Sequence, residues 1–160
     1  MPDGVDLTIV MPFYDERATL RAALERLLKT ELSHPYEVVL VDDGSTDGSA
    51  ETISDLVDGD RVRLLSHGRN QGKGAAIQTG VDAARGGLLS ILDADLEYDP
   101  SNFQRLLDAV HHHRAEVVYG VRSFGSQTAY SFWFVIGNYV VSLWTSFLFN
   151  VWVRDIETCL

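Results

Sequence analysis

The sequence predicts an α/β fold, a mostly parallel central sheet with helices on both faces, and three observations carry that expectation. Short apolar runs of strand length alternate with segments whose apolar residues recur at helical spacing, as in successive βα units. Three of these runs end in acidic, polar clusters. In an open α/β sheet the strand ends are where ligands bind.

Each element has its own signal. Leu7 to Met11 reads as the first strand and runs into Pro12-Phe13-Tyr14-Asp15-Glu16, where Pro12 would fix the turn. Beyond Glu16, Leu20, Ala23, Leu24, Leu27 and Leu28 fall on one helical face, with charged helix formers between them. Glu37 to Val41 is the second strand and ends in Asp42-Asp43-Gly44-Ser45-Thr46-Asp47. Ala50 to Leu56 reads as a short helix after the Asp47-Gly48 turn, and Val62 to Leu65 as a third strand. Gly74 to Ala84 is a small-residue helix able to pack closely. The strand Leu88 to Leu92 leads into Asp93-Ala94-Asp95. Phe103, Leu106, Leu107 and Val110 mark a helix behind Pro100, and Glu116 to Gly120 a further strand. The succession is Rossmann-like.

A chain of 160 residues, 46% of them hydrophobic, has the material for one full core. We divide it into a body over 1–125 and an apolar segment over 126–160. The single cysteine, Cys159, rules out an internal disulfide, and no basic-then-apolar signal segment opens the chain. Both features suggest a reducing, cytosolic setting. A net charge of −10 argues against nucleic acid as a partner, because phosphate binding needs a basic face. There is no internal repeat.

Ala129 to Val153 carries no charge and three tryptophans, and by length alone could span a bilayer. Its polar residues Ser131, Asn138, Ser142, Thr145, Ser146 and Asn150 make one helical stripe, flanked by Trp133, Tyr139, Trp144 and Trp152. That pattern favours docking on a membrane surface through buried apolar area, with a core helix covering the sheet as the alternative.

Asp93 and Asp95, one residue apart at the exposed tip of a buried strand, could hold a hard divalent cation, which would in turn hold substrate phosphates. One acidic strand end is most often a turn or a cap. Three exceed what turn chemistry demands, and they are expected to converge on one crevice. Asn70 to Ala76 is not a P-loop: Gly68 and Gly72 are three residues apart, and Gly74 follows Lys73 where Ser or Thr is needed. Its glycines would let a helix N-terminus approach the sheet or a diphosphate, with Lys73 as charge partner. His111-His112-His113 reads as a solvated helix end.

Taken in order, six segments resemble the family 2 glycosyltransferases with the nucleotide-diphospho-sugar transferase fold, in particular the polyprenyl-phosphate (dolichol-phosphate) mannosyl and glucosyl transferases. They are Pro12 to Glu16, Asp42 to Asp47, Asn70 to Ala76, Asp93 to Glu97, Gly120-Val121-Arg122 and Asp155 to Cys159. The resemblance implies a metal-dependent inverting transfer of a hexose, mannose or glucose, from a GDP-mannose or UDP-glucose type of donor to a polyprenyl phosphate lipid at the cytoplasmic face of the membrane. It implies nucleotide contacts at Pro12, Tyr14, Glu16, Val41, Asp43, Lys73, Asp93 and Ala94, and Mg²⁺ or Mn²⁺ at Asp93, Asp95 and Glu97. Tyr14 would offer an aromatic face to the base, and Glu16 an acceptor to the ribose or simply a favourable charge in the first turn of a helix.

A phosphate acceptor is already anionic, so the site needs a cation to hold it more than a base, and Arg122 is the candidate. Asp155 would lie near the reacting centre. There are departures: many relatives carry Gln or another polar residue where Glu97 stands, and Ser123 to Ala129 lacks the basic residues they usually have. Relatives also continue beyond the equivalent of Leu160, so a longer protein is expected. The other readings are a soluble glycan or sugar acceptor and a non-catalytic nucleotide-sugar-binding domain.

Overall fold

The computed structural model describes residues 4–96, 98–113, 115–118 and 132–150. Strands β1 (Leu7–Phe13), β2 (Tyr36–Asp42), β3 (Val62–Ser66) and β4 (Leu88–Ile91) form one parallel sheet in the order β3-β2-β1-β4. Helices α1 (Leu20–Leu28), α2 (Lys73–Asp82), α3 (Asn102–His113) and α4 (Phe132–Phe149) complete the described elements, with one 3₁₀ turn at Ala50–Ile53.

β1 and β2 are buried along their whole length, which explains their largely apolar sequence, and buried Thr8 donates its hydroxyl to buried Glu37 at 2.8 Å. Alternate residues point to opposite faces. Ile9, Met11, Val38 and Leu40 join Leu20, Leu24 and Leu27 of α1 and Phe103 and Leu107 of α3 in the main core. On the other face Val10, Val39 and Val41 meet Ala76 of α2. α2 lies close to the sheet because it is made of small residues: a Cβ on Gly80 would collide with Val10 Cγ1. The expected close packing of this segment is thereby explained.

The expected helix over Ala50–Leu56 is a single 3₁₀ turn. Thr52 Oγ1 and Ser54 Oγ donate to the carbonyls of Ser49 and Glu51, so hydroxyls occupy the acceptors a longer helix would use. The strand expected at Glu116–Gly120 is not formed over Glu116–Val118, and its last two residues lie outside those described.

Pro12 is not in the turn, as expected from the sequence, but inside β1, buried and opposite Val41. Val10 O accepts from Leu92 N of the β4 segment, and Phe13 O from Asp43 N after β2. Residue edges alternate along a strand, so Pro12 faces β4, where it has no N–H to give. Pairing between β1 and β4 ends at Val10↔Ile91, and the two strands part beyond it. The chain winds from β1 to β2 to β3 and then returns to the other side of β1, so this parting is the topological switch point of the sheet.

Candidate active site

Three loops meet at the carboxyl ends of the strands, and main-chain geometry locks two of them together. Asp15 N donates to Ser45 Oγ at 3.0 Å, Thr46 N to Asp15 Oδ1 at 2.8 Å, and Arg17 N to Asp47 Oδ2 at 3.1 Å. Asp47 also accepts from Ser49 through both its hydroxyl and its main chain, and these bonds hold its carboxyl below the usual range. Tyr14, at the tip of the first loop, is 45% exposed and presents its ring to solvent. Glu16 sits at the start of α1: its carbonyl accepts from Thr19 N and Leu20 N, and its carboxylate from Thr19 Oγ1 at 2.7 Å.

The third loop, residues 67–72, is held by Asp43. This buried carboxylate accepts His67 Nδ1 at 2.7 Å, Gln71 N at 2.9 Å and Gly72 N at 2.7 Å. Burial alone would raise its pKa, but the N–H groups of Gln71 and Gly72 and the His67 ring outweigh that, leaving it below 3.8. The other His67 nitrogen lies 2.9 Å from Thr79 Oγ1 on α2, so Asp43, His67 and Thr79 tie the end of β2 to the helix. Gly44 makes the approach possible. It has φ +79°, and a Cβ there would lie 2.6 Å from Arg69 C and 2.7 Å from Asn70 N.

Sequence reasoning missed His67. Its only signal was a lone histidine two residues past the third apolar run, and its two partners come from other segments. Val41 is fully buried between Val10 and Ala76, so only its main chain can serve a ligand.

Gly72, at φ +92°, caps α2 and makes Lys73 its first residue. Lys73 Nζ stands 2.7 Å from one Asp93 oxygen and 2.8 Å from the other. Asp93 is 17% exposed in its side chain, Ala94 is buried and Asp95 exposed. Leu96 follows at φ +66°, an unusual conformation for leucine, and Asp15 in the first loop has φ +54°. Such backbone persists where its surroundings dictate it, most often at functional loops.

The fold therefore brings together Pro12, Tyr14, Glu16, Val41, Asp43, Lys73, Asp93, Ala94 and Asp95 along the strand ends. Glu97, Arg122 and Asp155 lie outside the described residues. Among the described residues no three Asp, Glu, His or Cys side chains converge on one point. The donor set nevertheless suits a phosphate-bound Mg²⁺ or Mn²⁺, which takes one or two carboxylates and completes its shell with phosphate and water. α4 inverts the usual pattern of a surface helix: Ser142 is buried, while Trp144, Phe147 and Phe149 are 60%, 79% and 72% exposed. No helix among the described residues is long and apolar enough to cross a membrane.

The model of the family described as "Glycosyl transferase family 2" matches residues 8–156. The undecaprenyl-phosphate 4-deoxy-4-formamido-L-arabinose transferase of Aeromonas hydrophila is 43% identical over 107 residues, covering 64% of this chain and 33% of that protein. The dodecaprenyl-phosphate galacturonate synthase of Rhizobium johnstonii is 32% identical over 123 residues, covering 74% of this chain and 36% of its own length. The chain thus spans about a third of these relatives. Among solved structures, the mannosyltransferase PcManGT of Pyrobaculum calidifontis with GDP-Man and Mn²⁺ superposes with a TM-score of 0.56 at 26% identity, over 68% of this chain and 32% of that one. S. aureus TarS 1–349 with UDP-GlcNAc has the same fold, with a TM-score of 0.62 at 20% identity over 78% of this chain and 38% of its own.

Proposed function

The chain belongs to glycosyl transferase family 2, and on that premise we propose that it moves a sugar from a nucleoside diphosphate donor to a polyprenyl phosphate, with inversion, at the cytoplasmic face of a membrane. The observation that carries the reading is the convergence, at the switch point of the sheet, of Asp93 and Asp95 with the cationic start of α2. The names of the relatives at 43% and 32% identity, both polyprenyl-phosphate sugar transferases, support the lipid acceptor.

In this reading Tyr14 stacks on the base, Glu16 and the main chain at Val41 face the nucleoside, and Asp43 fixes the 67–72 loop while offering its remaining acceptor position to a base N–H. Asp93, Asp95 and Glu97 hold Mg²⁺ or Mn²⁺, which when bound neutralises the charge that grows on the diphosphate as it leaves. Lys73 and the first amides of α2 supply further positive potential on the diphosphate side. Arg122 grips the acceptor phosphate in a bidentate manner, and Asp155 borders the reacting centre. A phosphate oxygen attacks the anomeric carbon, the bond to the diphosphate breaks, and the nucleoside diphosphate departs. Because the nucleophile is an anion, no side chain has to remove a proton.

Residues 1–125 would form the donor-binding body and 126–160 the docking segment. The outward apolar side of α4 supports this, since Tyr139, Val140, Leu143, Trp144, Phe147 and Leu148 all lie exposed. The sugar remains a choice among mannose, glucose and the classes named in the relatives. The test is transfer of labelled sugar from a panel of UDP and GDP donors into an organic-extractable product, with short polyprenyl phosphate and Mg²⁺ or Mn²⁺. Labelled lipid that vanishes with EDTA supports the proposal. Transfer to a soluble acceptor alone, or donor binding without turnover, would replace it with the corresponding alternative.

A further inference from the structure

We propose that His67 is a positioning residue for the nucleobase: it fixes the plane of the Asp43 carboxylate so that an acceptor position on Oδ2 faces the base. The inference rests on the proposed donor site and concerns a buried side chain that the reading does not use. His67 is 9% exposed in its side chain and follows β3 directly. Its main-chain N–H donates to Asp42 O at 2.8 Å, so the backbone there is held by the end of β2 whatever the side chain is.

A carboxylate oxygen accepts about two hydrogen bonds. Asp43 Oδ1 has both, from His67 Nδ1 at 2.7 Å and Gln71 N at 2.9 Å, whereas among the described residues Oδ2 has one, from Gly72 N at 2.7 Å. An ionised carboxylate only accepts, so the proton lies on Nδ1. In the neutral ring Nε2, 2.9 Å from Thr79 Oγ1, then accepts from that hydroxyl. The amides of Gln71 and Gly72 bind opposite oxygens and would let the carboxylate turn with their loop. The imidazole, anchored on β2 through its main chain and on α2 through Nε2, removes that freedom. At 3% exposure Asp43 meets a ligand along a narrow edge, so the angle of its plane governs whether a directional hydrogen bond to a base N–H forms.

The experiment is titration calorimetry of the parent, His67→Leu and His67→Asn with UDP, GDP and inorganic pyrophosphate, with Mg²⁺ throughout. Pyrophosphate reports the diphosphate side alone. His67→Leu should bind the parent's preferred nucleotide about three- to tenfold more weakly, and pyrophosphate as the parent does. In this variant Thr79 returns its hydroxyl to its own helix, so no polar group is stranded. His67→Asn, whose amide nitrogen takes the place of Nδ1 without reaching Thr79, should recover most of the loss. Equal losses of nucleotide and pyrophosphate in both variants would make His67 a brace for α2 and overturn the proposal, as would unchanged nucleotide binding by His67→Leu. Should His67→Leu fail to fold, ¹⁵N spectra of the parent decide: the His67 ring resonances should move with nucleotide and not with pyrophosphate, and the reverse or no movement overturns it. A parent that binds neither UDP nor GDP would overturn the donor site and this inference with it.

Discussion

Replacing Asp43 with Asn tests the internal architecture of the site, because the change removes one charge and adds one hydrogen-bond donor with almost no change in shape. The carboxylate is 3% exposed and accepts from three groups. An amide cannot satisfy them in either orientation. If its oxygen keeps His67 and Gln71 N, its NH₂ faces Gly72 N–H; if it turns to accept from Gly72, the NH₂ faces Gln71 N–H. Asn70 Oδ1, 3.0 Å from Gly72 N, softens the first case without removing the opposed hydrogens. One compromised backbone N–H and the loss of charge assistance on the other bonds amount to about 2–3 kcal/mol. For a chain of this size that is a fall in melting temperature of roughly 4–12 °C. The folded pKa of Asp43 lies below the unfolded value of 3.8, so its contribution is present above that value and is lost as pH falls through the folded one. Asp43→Asn should therefore also flatten the acid limb of the stability curve below about pH 4. Urea unfolding across pH, with hydrogen exchange at the Gln71 and Gly72 amides, measures both effects. A variant within about 0.5 kcal/mol of the parent, its Gly72 amide still protected, would refute the reasoning.

Gly80→Ala should cost about 1–3 kcal/mol by driving a methyl into Val10, and Val10→Ala in the same chain should recover much of it; additive losses in denaturant would show that the helix has room to shift. Asp95→Asn should abolish metal-dependent donor binding, and titration calorimetry showing normal binding would remove Asp95 from the cation site. Arg122→Ala should raise the KM for polyprenyl phosphate while leaving that for the donor unchanged, and equal losses in both would sink its role. Phe147→Glu, on the most exposed of the described large apolar residues of α4, should reduce sedimentation with phosphatidylcholine vesicles and leave nucleotide affinity intact. Unchanged sedimentation would point away from a lipid-facing α4.

The sheet was legible because β1 and β2 are covered on both faces, which leaves Ile9 to Phe13 and Val38 to Val41 without a polar residue. Helices α1 and α3 were legible from their spacing, and α2 from its small residues, whose reason appears only when Gly80 meets Val10. Local hydrogen bonding defeated the reading in two places. Hydroxyls at Thr52 and Ser54 shortened the expected helix to one turn, and the edge that Pro12 presents to β4 set its role, which spacing cannot reveal. The carboxylates of the site were visible as motifs, but their partners were not. Asp43 and His67 are 24 residues apart, Lys73 and Asp93 are 20 apart, and each pair joins different βα units. Of the polar stripe expected along the apolar segment, Ser142 is buried and Asn150 exposed, while Tyr139, Trp144, Phe147 and Phe149 are exposed, an outcome that spacing alone does not reveal.

The most direct test of the central claim is the stoichiometry of products when the protein, a nucleotide sugar and polyprenyl phosphate react with Mg²⁺ or Mn²⁺. The account predicts one nucleoside diphosphate released for each lipid whose mass increases by one sugar and no phosphate, with neither product formed in EDTA. Release of nucleoside monophosphate with a lipid that has gained a phosphate as well, or of diphosphate with no glycosylated lipid, would contradict it.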